Sequence, residues 1–329
     1  MSSLRKLITA VVSVGVVGAL LTGTAVAPAQ AANKKIAFVM GAESDPFFQA
    51  MKVGAEAAAK ANNIDLIWQG DPSEYSPATQ IPVVDQVLAQ KPDALVLIPT
   101  DPTALQASVA KAKAAGIPVI NVDTRVNDLT DVLSFITGDN ADGGAKAADA
   151  LAKAIKYKKG KTYQVVVGLT SATATTNVAR LDGFTKQIAK KYPGIKIVDK
   201  AYSQSQPAKA NTNVSNWLTK YPKLAGIFAI DGTNAAGAAA AIQAKGLKGK
   251  VALVGYDAYK ANVDLIGKGV FTALVAQDPA AEAKLAIEYL VKYFAGQTSG
   301  IKKEVVIPNV VLSKSSSKAD LAKYTYVQK

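Results

Sequence analysis

The residues best suited to hold a small polar molecule fall just after segments that read as β-strands. Asp45, Phe47 and Phe48 follow the first strand, Thr100 and Asp101 the third, and Asp123, Thr124 and Arg125 the fourth. In the second half Arg180 lies in an opening helix, Asp231 and Asp257 follow strands, and Gln277 ends the run Val270–Ala276. An ionised carboxylate accepts two adjacent O–H groups, a guanidinium donates a planar fork, and both bonds are stronger than neutral ones. Phenyl rings cover the apolar C–H faces of a sugar ring. This chemistry suits vicinal hydroxyls. Arginine usage sharpens it: apart from Arg5 the chain has only Arg125 and Arg180, among 38 Lys and Arg in all. Asp45 and Asp101 also have a structural reading, because each precedes a proline and Asp before a first-turn Pro is a common helix N-cap. Recurrence at equivalent strand ends, more than any single residue, points to a site.

Absences narrow the chemistry further. The chain has no His and no Cys, which removes Ser-His-Asp triads, thiol nucleophiles, imidazole acid–base work and the usual zinc sites. Paired carboxylates of the glycosidase kind remain available. However, no Glu stands among the strand-end residues, and no neighbour in sequence is placed to raise the pKa of Asp123 or Asp257. No G-x-G-x-x-G follows a strand, which disfavours nucleotides. The formal charge is +13, but its lysines are scattered over amphipathic helices without a basic block interleaved with aromatics. A solvated lysine surface, without nucleic-acid binding, is the expectation. No catalytic residue, metal or cofactor is expected, and the chain is not expected to be an enzyme.

The elements that must position these residues alternate regularly. Strands are expected at Ile36–Met40, Ile64–Trp68, Ala94–Ile98 and Pro118–Val122, then at Tyr163–Gly168, Ile195–Ala201, Leu224–Ile230 and Val251–Gly255. Helices are expected to begin near Pro46, Pro77, Pro102, Asp142, Asn177, Ala208, Asn234 and Tyr259. Strands apolar throughout suit a parallel sheet covered on both faces, so the fold class is α/β, doubly wound. One plan is used twice, and each half ends its fourth strand in an Asp, at Asp123 and Asp257. Ligands of open α/β sheets bind beyond the carboxyl ends of the strands, which places a site between two similar lobes. Upstream, Arg5 and Lys6, the uncharged run Leu7 to Leu21 and Ala29-Gln-Ala31 read as a secretory signal over residues 1–31, too short to span a membrane. Without a cysteine the exported chain is not expected to be a lipoprotein.

Seven short motifs then resemble the ribose-binding family of periplasmic sugar-binding proteins. They are Asp45-Pro-Phe-Phe48, Pro99-Thr-Asp101, Gly116-Ile-Pro-Val119 with Asp123, Gly138-Asp-Asn140, Arg180-Leu-Asp-Gly-Phe184, Gly255-Tyr-Asp257 and Ala276-Gln277. The resemblance implies a type I fold of two lobes, 32–137 plus 278–308 and 138–277 plus 309–329, with crossings near Thr137–Asp139, Ala276–Asp278 and Pro308–Val310. It implies Phe47 and Phe48 stacking on a sugar, and Asp123, Arg180, Asp231, Asp257 and Gln277 binding its hydroxyls. It further implies a monomer, periplasmic or extracellular, that closes on a monosaccharide or polyol for an ABC-type membrane permease. A receptor component for chemotaxis or quorum-type sensing is the alternative, with a carboxylate-dependent glycoside hydrolase as a remote one. The chain departs from the family where Asp45 and Asp231 replace Asn and Thr124 replaces Arg, with Arg125 one place later. Ser205 falls where a third aromatic wall is expected.

Overall fold

The computed structural model describes residues 33–327; the export signal expected over residues 1–31 lies outside them. The first half runs β1 (Lys34–Ala42), α1 (Pro46–Ala61), β2 (Ile64–Asp71), α2 (Pro77–Ala89), β3 (Ala94–Leu97), α3 (Gln106–Ala114), β4 (Val119–Val122) and β5 (Val132–Gly138). The second runs α4 (Asn140–Ala154), β6 (Tyr163–Leu169), α5 (Thr175–Lys191), β7 (Ile195–Tyr202), α6 (Pro207–Lys220), β8 (Leu224–Ala229), α7 (Gly232–Ala244), β9 (Ala252–Tyr256), α8 (Lys260–Gly267) and β10 (Ala273–Ala276). Then come α9 (Pro279–Phe294), β11 (Glu304–Ile307), β12 (Val310–Ser313) and α10 (Lys318–Tyr324).

The strands form two six-stranded sheets with matching plans, β11-β5-β4-β3-β1-β2 and β12-β10-β9-β8-β6-β7. The fold is therefore α/β with two doubly wound lobes. The central strands β3 and β4 are buried at every residue, as sheets covered on both faces require. The chain changes sheet after β5, after β10, and between β11 and β12. One edge differs from the expected parallel pattern: β12 runs antiparallel to β10, because it reaches the second sheet directly from β11 without a crossover helix to restore its direction.

Helix starts follow their caps. Asp45, Ser76 and Asp278 each cap a helix whose first residue is proline, and Asp231 caps α7. The helix expected near Pro102 begins four residues later, at Gln106. Residues 102–105 form a turn instead, held by Asp101 accepting the N–H groups of Thr103 and Ala104 at 2.9 and 2.8 Å.

In the second lobe α4 and α5 pack closely enough to fix the site. A Cβ added at Gly144 would stand 2.0 Å from the carbonyl oxygen of Arg180, so only glycine lets the two backbones meet there. The approach also brings Arg180 to Asn140, whose Oδ1 accepts from Nε at 2.7 Å. Gly144→Ala is expected to force the helices apart at a cost of about 1–3 kcal/mol, lowering the melting temperature by several degrees. A thermal melt indistinguishable from wild type would contradict this packing.

Candidate functional site

The ends of the two sheets face each other across a cavity with about 400 Å³ of empty space, its mouth included. Seen from the backbone, the two halves are matched. Asp123 and Asp257 follow β4 and β9 with φ of 60° and 64°, in the left-handed region that Asp enters more readily than most residues. Each donates its N–H at 2.8 Å to the neighbouring strand, Asp123 to Ile136 O and Asp257 to Val275 O. This conformation ends each strand and turns the carboxylate toward the gap. Both side chains line the cavity and are buried.

The other polar walls are held as firmly. Arg180 is 3% exposed, stacks its guanidinium 3.8 Å from the Tyr256 ring centre and donates Nη1 to Ile230 O at 3.1 Å. Its Nη2 reaches to 4.0 Å from Asp123 Oδ1, an oxygen without a hydrogen-bond partner among the described residues. Asp231 accepts from Asn234 N, Asn234 Nδ2 and Thr170 Oγ1 at 2.7–2.8 Å. Asp257 Oδ1 accepts from Gln277 Nε2 at 2.8 Å, and Oδ2 accepts from Gly232 N at 2.9 Å. Asp45 caps α1 and also crosses to the second lobe, where it accepts from Thr233 Oγ1 at 3.1 Å and from the Tyr259 hydroxyl. With Arg125 N donating to Thr175 Oγ1 at 3.2 Å as well, the lobes touch through several polar contacts. This is a closed form.

Of the residues singled out in the sequence, Asp45, Phe47, Phe48, Asp123, Arg180, Asp231, Asp257 and Gln277 line this cavity. Asp101, Thr124 and Arg125 do not. Asp101 is used by its turn. Thr124 points away, donating Oγ1 to Pro99 O at 2.7 Å. Arg125 lines a separate groove between the lobes, with Nη1 on Asn127 O at 3.4 Å, so it does not stand in for an arginine at position 124. The lining also includes Tyr75, Thr170, Thr176, Asn177 and Tyr259, which the sequence reading missed. Ser205 is there, but the pocket does not lack aromatic walls: Tyr75 and Tyr259 supply them, one from each lobe. Their rings rest where glycine leaves room, since a Cβ at Gly41 would come within 2.8 Å of Tyr75 and one at Gly232 within 2.1 Å of Tyr259. Position was the available signal, because Tyr259 stands two residues past Asp257 and Tyr75 just before the α2 cap.

The cavity holds four carboxylates and one guanidinium, so its electrostatics are strained. Burial pushes Asp123 up to about 7, against the pull of Arg180 and with further upward pressure from Asp257 and Asp45. Burial likewise pushes Asp45 up to about 6, opposed by its bonds from Tyr259 and Phe47 N. The expectation that nothing raises the pKa of Asp123 is thus corrected, because desolvation and distant carboxylates act where sequence neighbours do not. Burial opposes the charge on Arg180, but Tyr256 and the carboxylates of Asp257, Asp123 and Asp231 more than offset it and hold the guanidinium protonated. An unfolded Asp titrates near 3.9, so the folded chain keeps protons that the unfolded chain has released. Stability from Asp45 and Asp123 is full below about pH 4 and is lost as pH rises through about 6 and 7. Denaturant unfolding of the ligand-free chain at about pH 5.5 and about pH 8 is expected to show this loss, and Asp123→Asn to flatten it. The same pH dependence in both proteins would contradict the assignment.

Comparison with known proteins agrees with this architecture. The periplasmic binding protein domain family matches residues 36–298. The D-ribose/D-allose-binding protein of Pseudomonas aeruginosa is 32% identical over 286 residues, which cover 84% of this chain and 87% of that protein. The ribose import binding protein of Bacillus subtilis is 30% identical over 264 residues, covering 79% and 83%. A solved ABC transporter solute-binding protein from Agrobacterium vitis, bound to α-D-tagatopyranose, is 33% identical with a TM-score of 0.84, covering 90% of this chain and 100% of that one. This chain belongs to the periplasmic binding protein domain family, in its ribose-binding branch.

Proposed function

We propose that this chain captures a monosaccharide or related polyol between its lobes and delivers it to an ABC-type importer. The observation that carries the reading is the matched pair Asp123 and Asp257, set by equivalent backbone turns on opposite walls of one cavity. The sugar- and ribose-binding relatives support it. Asp45, Phe47, Phe48, Asp123, Arg180, Asp231, Asp257 and Gln277 are the residues we assign to the ligand. Oxygens such as Asp123 Oδ1, buried and unpartnered among the described residues, call for a guest rich in O–H donors, and the aromatic rings for one with C–H faces.

The lobes move as the units 32–137 with 278–308 and 138–277 with 309–329. Contacts made to both at once favour the closed form, and hinge closure of this kind has periplasmic binding proteins among its type cases. The importer reads that closure, and the protein works as an extracytoplasmic monomer without a lipid anchor. Among the described residues no helix is long and apolar enough to cross a membrane.

Binding, and not hydrolysis, is the role that fits these carboxylates. A glycosidase needs one carboxyl as acid and a second free to attack or to activate water. Asp45, Asp231 and Asp257 instead give most of their lone pairs to fixed partners inside the protein, so among the cavity-lining carboxylates no second free one stands beside Asp123 to attack or to activate water.

A thermal-shift screen over pentoses, hexoses, polyols and amino acids tests the reading, because a ligand that binds only the folded form raises the melting temperature. Sugars or polyols are expected to shift it, and Asp257→Ala to weaken that binding by about 2–5 kcal/mol. Shifts produced by amino acids alone would overturn it.

A further inference from the structure

Tyr326 follows α10 near the C-terminus and is 5% exposed. It does not line the cavity, yet it touches several residues that do. Its hydroxyl accepts from Gln277 N at 3.2 Å and donates to Asp257 Oδ1 at 3.0 Å. Its ring centre lies 6.0 Å from that of Tyr259 and 6.1 Å from that of Phe47, the latter on the opposite lobe. Its own N–H donates at 2.9 Å to Ala258 O, next to Asp257.

The direction of these bonds is fixed. A backbone N–H can only donate, so the phenol oxygen accepts from Gln277 and its single hydrogen goes to Asp257. Gln277 Nε2 donates to the same Oδ1, which fills that oxygen. Oδ2 takes Gly232 N and keeps one lone pair open. We infer that Tyr326 is a positioning residue for ligand binding. By occupying Oδ1 it prevents the carboxylate from rotating and commits Asp257 to present one open acceptor on Oδ2. Through its ring it ties that carboxylate to Phe47, so that closure and acceptor geometry are set together. The role rests on the proposed ligand site, and it reaches back from the segment that follows α10, outside the strand-end positions that supply the other determinants.

Tyr326→Phe keeps the ring and removes only the hydroxyl. For the sugar or polyol that the wild type binds best, Kd is expected to rise about tenfold, because the freed carboxylate must be re-oriented each time the ligand binds. In an Asp257→Asn background the same change is expected to add less than about twofold, since the pair acts as a unit. Without ligand, the carboxylate carbon resonance of Asp257 in isotope-labelled protein is expected to move in Y326F, while that of Asp231 stays in place. An unchanged Asp257 resonance, an unchanged Kd, or an undiminished tenfold loss in the Asp257→Asn background would each overturn the inference. A wild type that binds none of the sugars or polyols defeats the ligand reading separately, and the resonance then decides the role of Tyr326 by itself.

Discussion

The structure depends on buried carboxylates that the protein alone does not fully satisfy. Taking a carboxylate out of water is costly unless hydrogen bonds or opposite charges replace the lost hydration. Here one guanidinium faces four carboxylates across the cavity lining. Arg180 is itself committed to Asn140, Ile230 and the face of Tyr256. Two responses are visible. Protons are retained, as the raised values of Asp123 and Asp45 show, and acceptors are left facing the gap. A hydroxyl-rich guest is the natural complement to the second response, because each of its O–H groups donates without bringing further negative charge.

Closure follows from the same constraint. Asp45 caps α1 in the first lobe and accepts hydroxyls from Thr233 and Tyr259 in the second, so one side chain both ends a loop and bridges the lobes. Such bonds exist only when the lobes meet. They are polar and stand beside an apolar contact between the lobes, Phe47 against Tyr326, and polar contacts of this kind exchange readily with water when the lobes part. A cleft that opens and shuts needs contacts of that strength.

Much of this was legible in the sequence for a physical reason. Runs such as Ala94–Leu97 and Leu224–Ala229 are apolar throughout, which only a doubly covered sheet explains, and the repeated strand-end Asp exposed the duplication. The cavity lining was legible where a strand end itself forms a wall, as at Asp123 and Asp257. It was not legible where partners come from remote segments. Tyr259 marks only an expected helix start, Tyr75 stands between β2 and α2, Tyr326 lies far from any strand end, and the pKa of Asp123 is set by burial and by carboxylates distant in sequence. Asp101 misled because a cap and a ligand contact look alike in one dimension. Arg125 misled because a residue just past a strand end can point along the rim of a cleft and not into it. The helix α9 went unassigned although its buried Ala283, Ala286, Ile287 and Leu290 keep helical spacing.

The proposed guest is one neutral, hydroxylated molecule held by both lobes at once. A crystal structure with the best-binding sugar or polyol measures this directly. Hydroxyl oxygens of one bound molecule are expected within hydrogen-bond distance of both Asp123 and Asp257, with aromatic rings against its C–H faces. A ligand bound to one lobe only, or lodged outside this cavity, would contradict it.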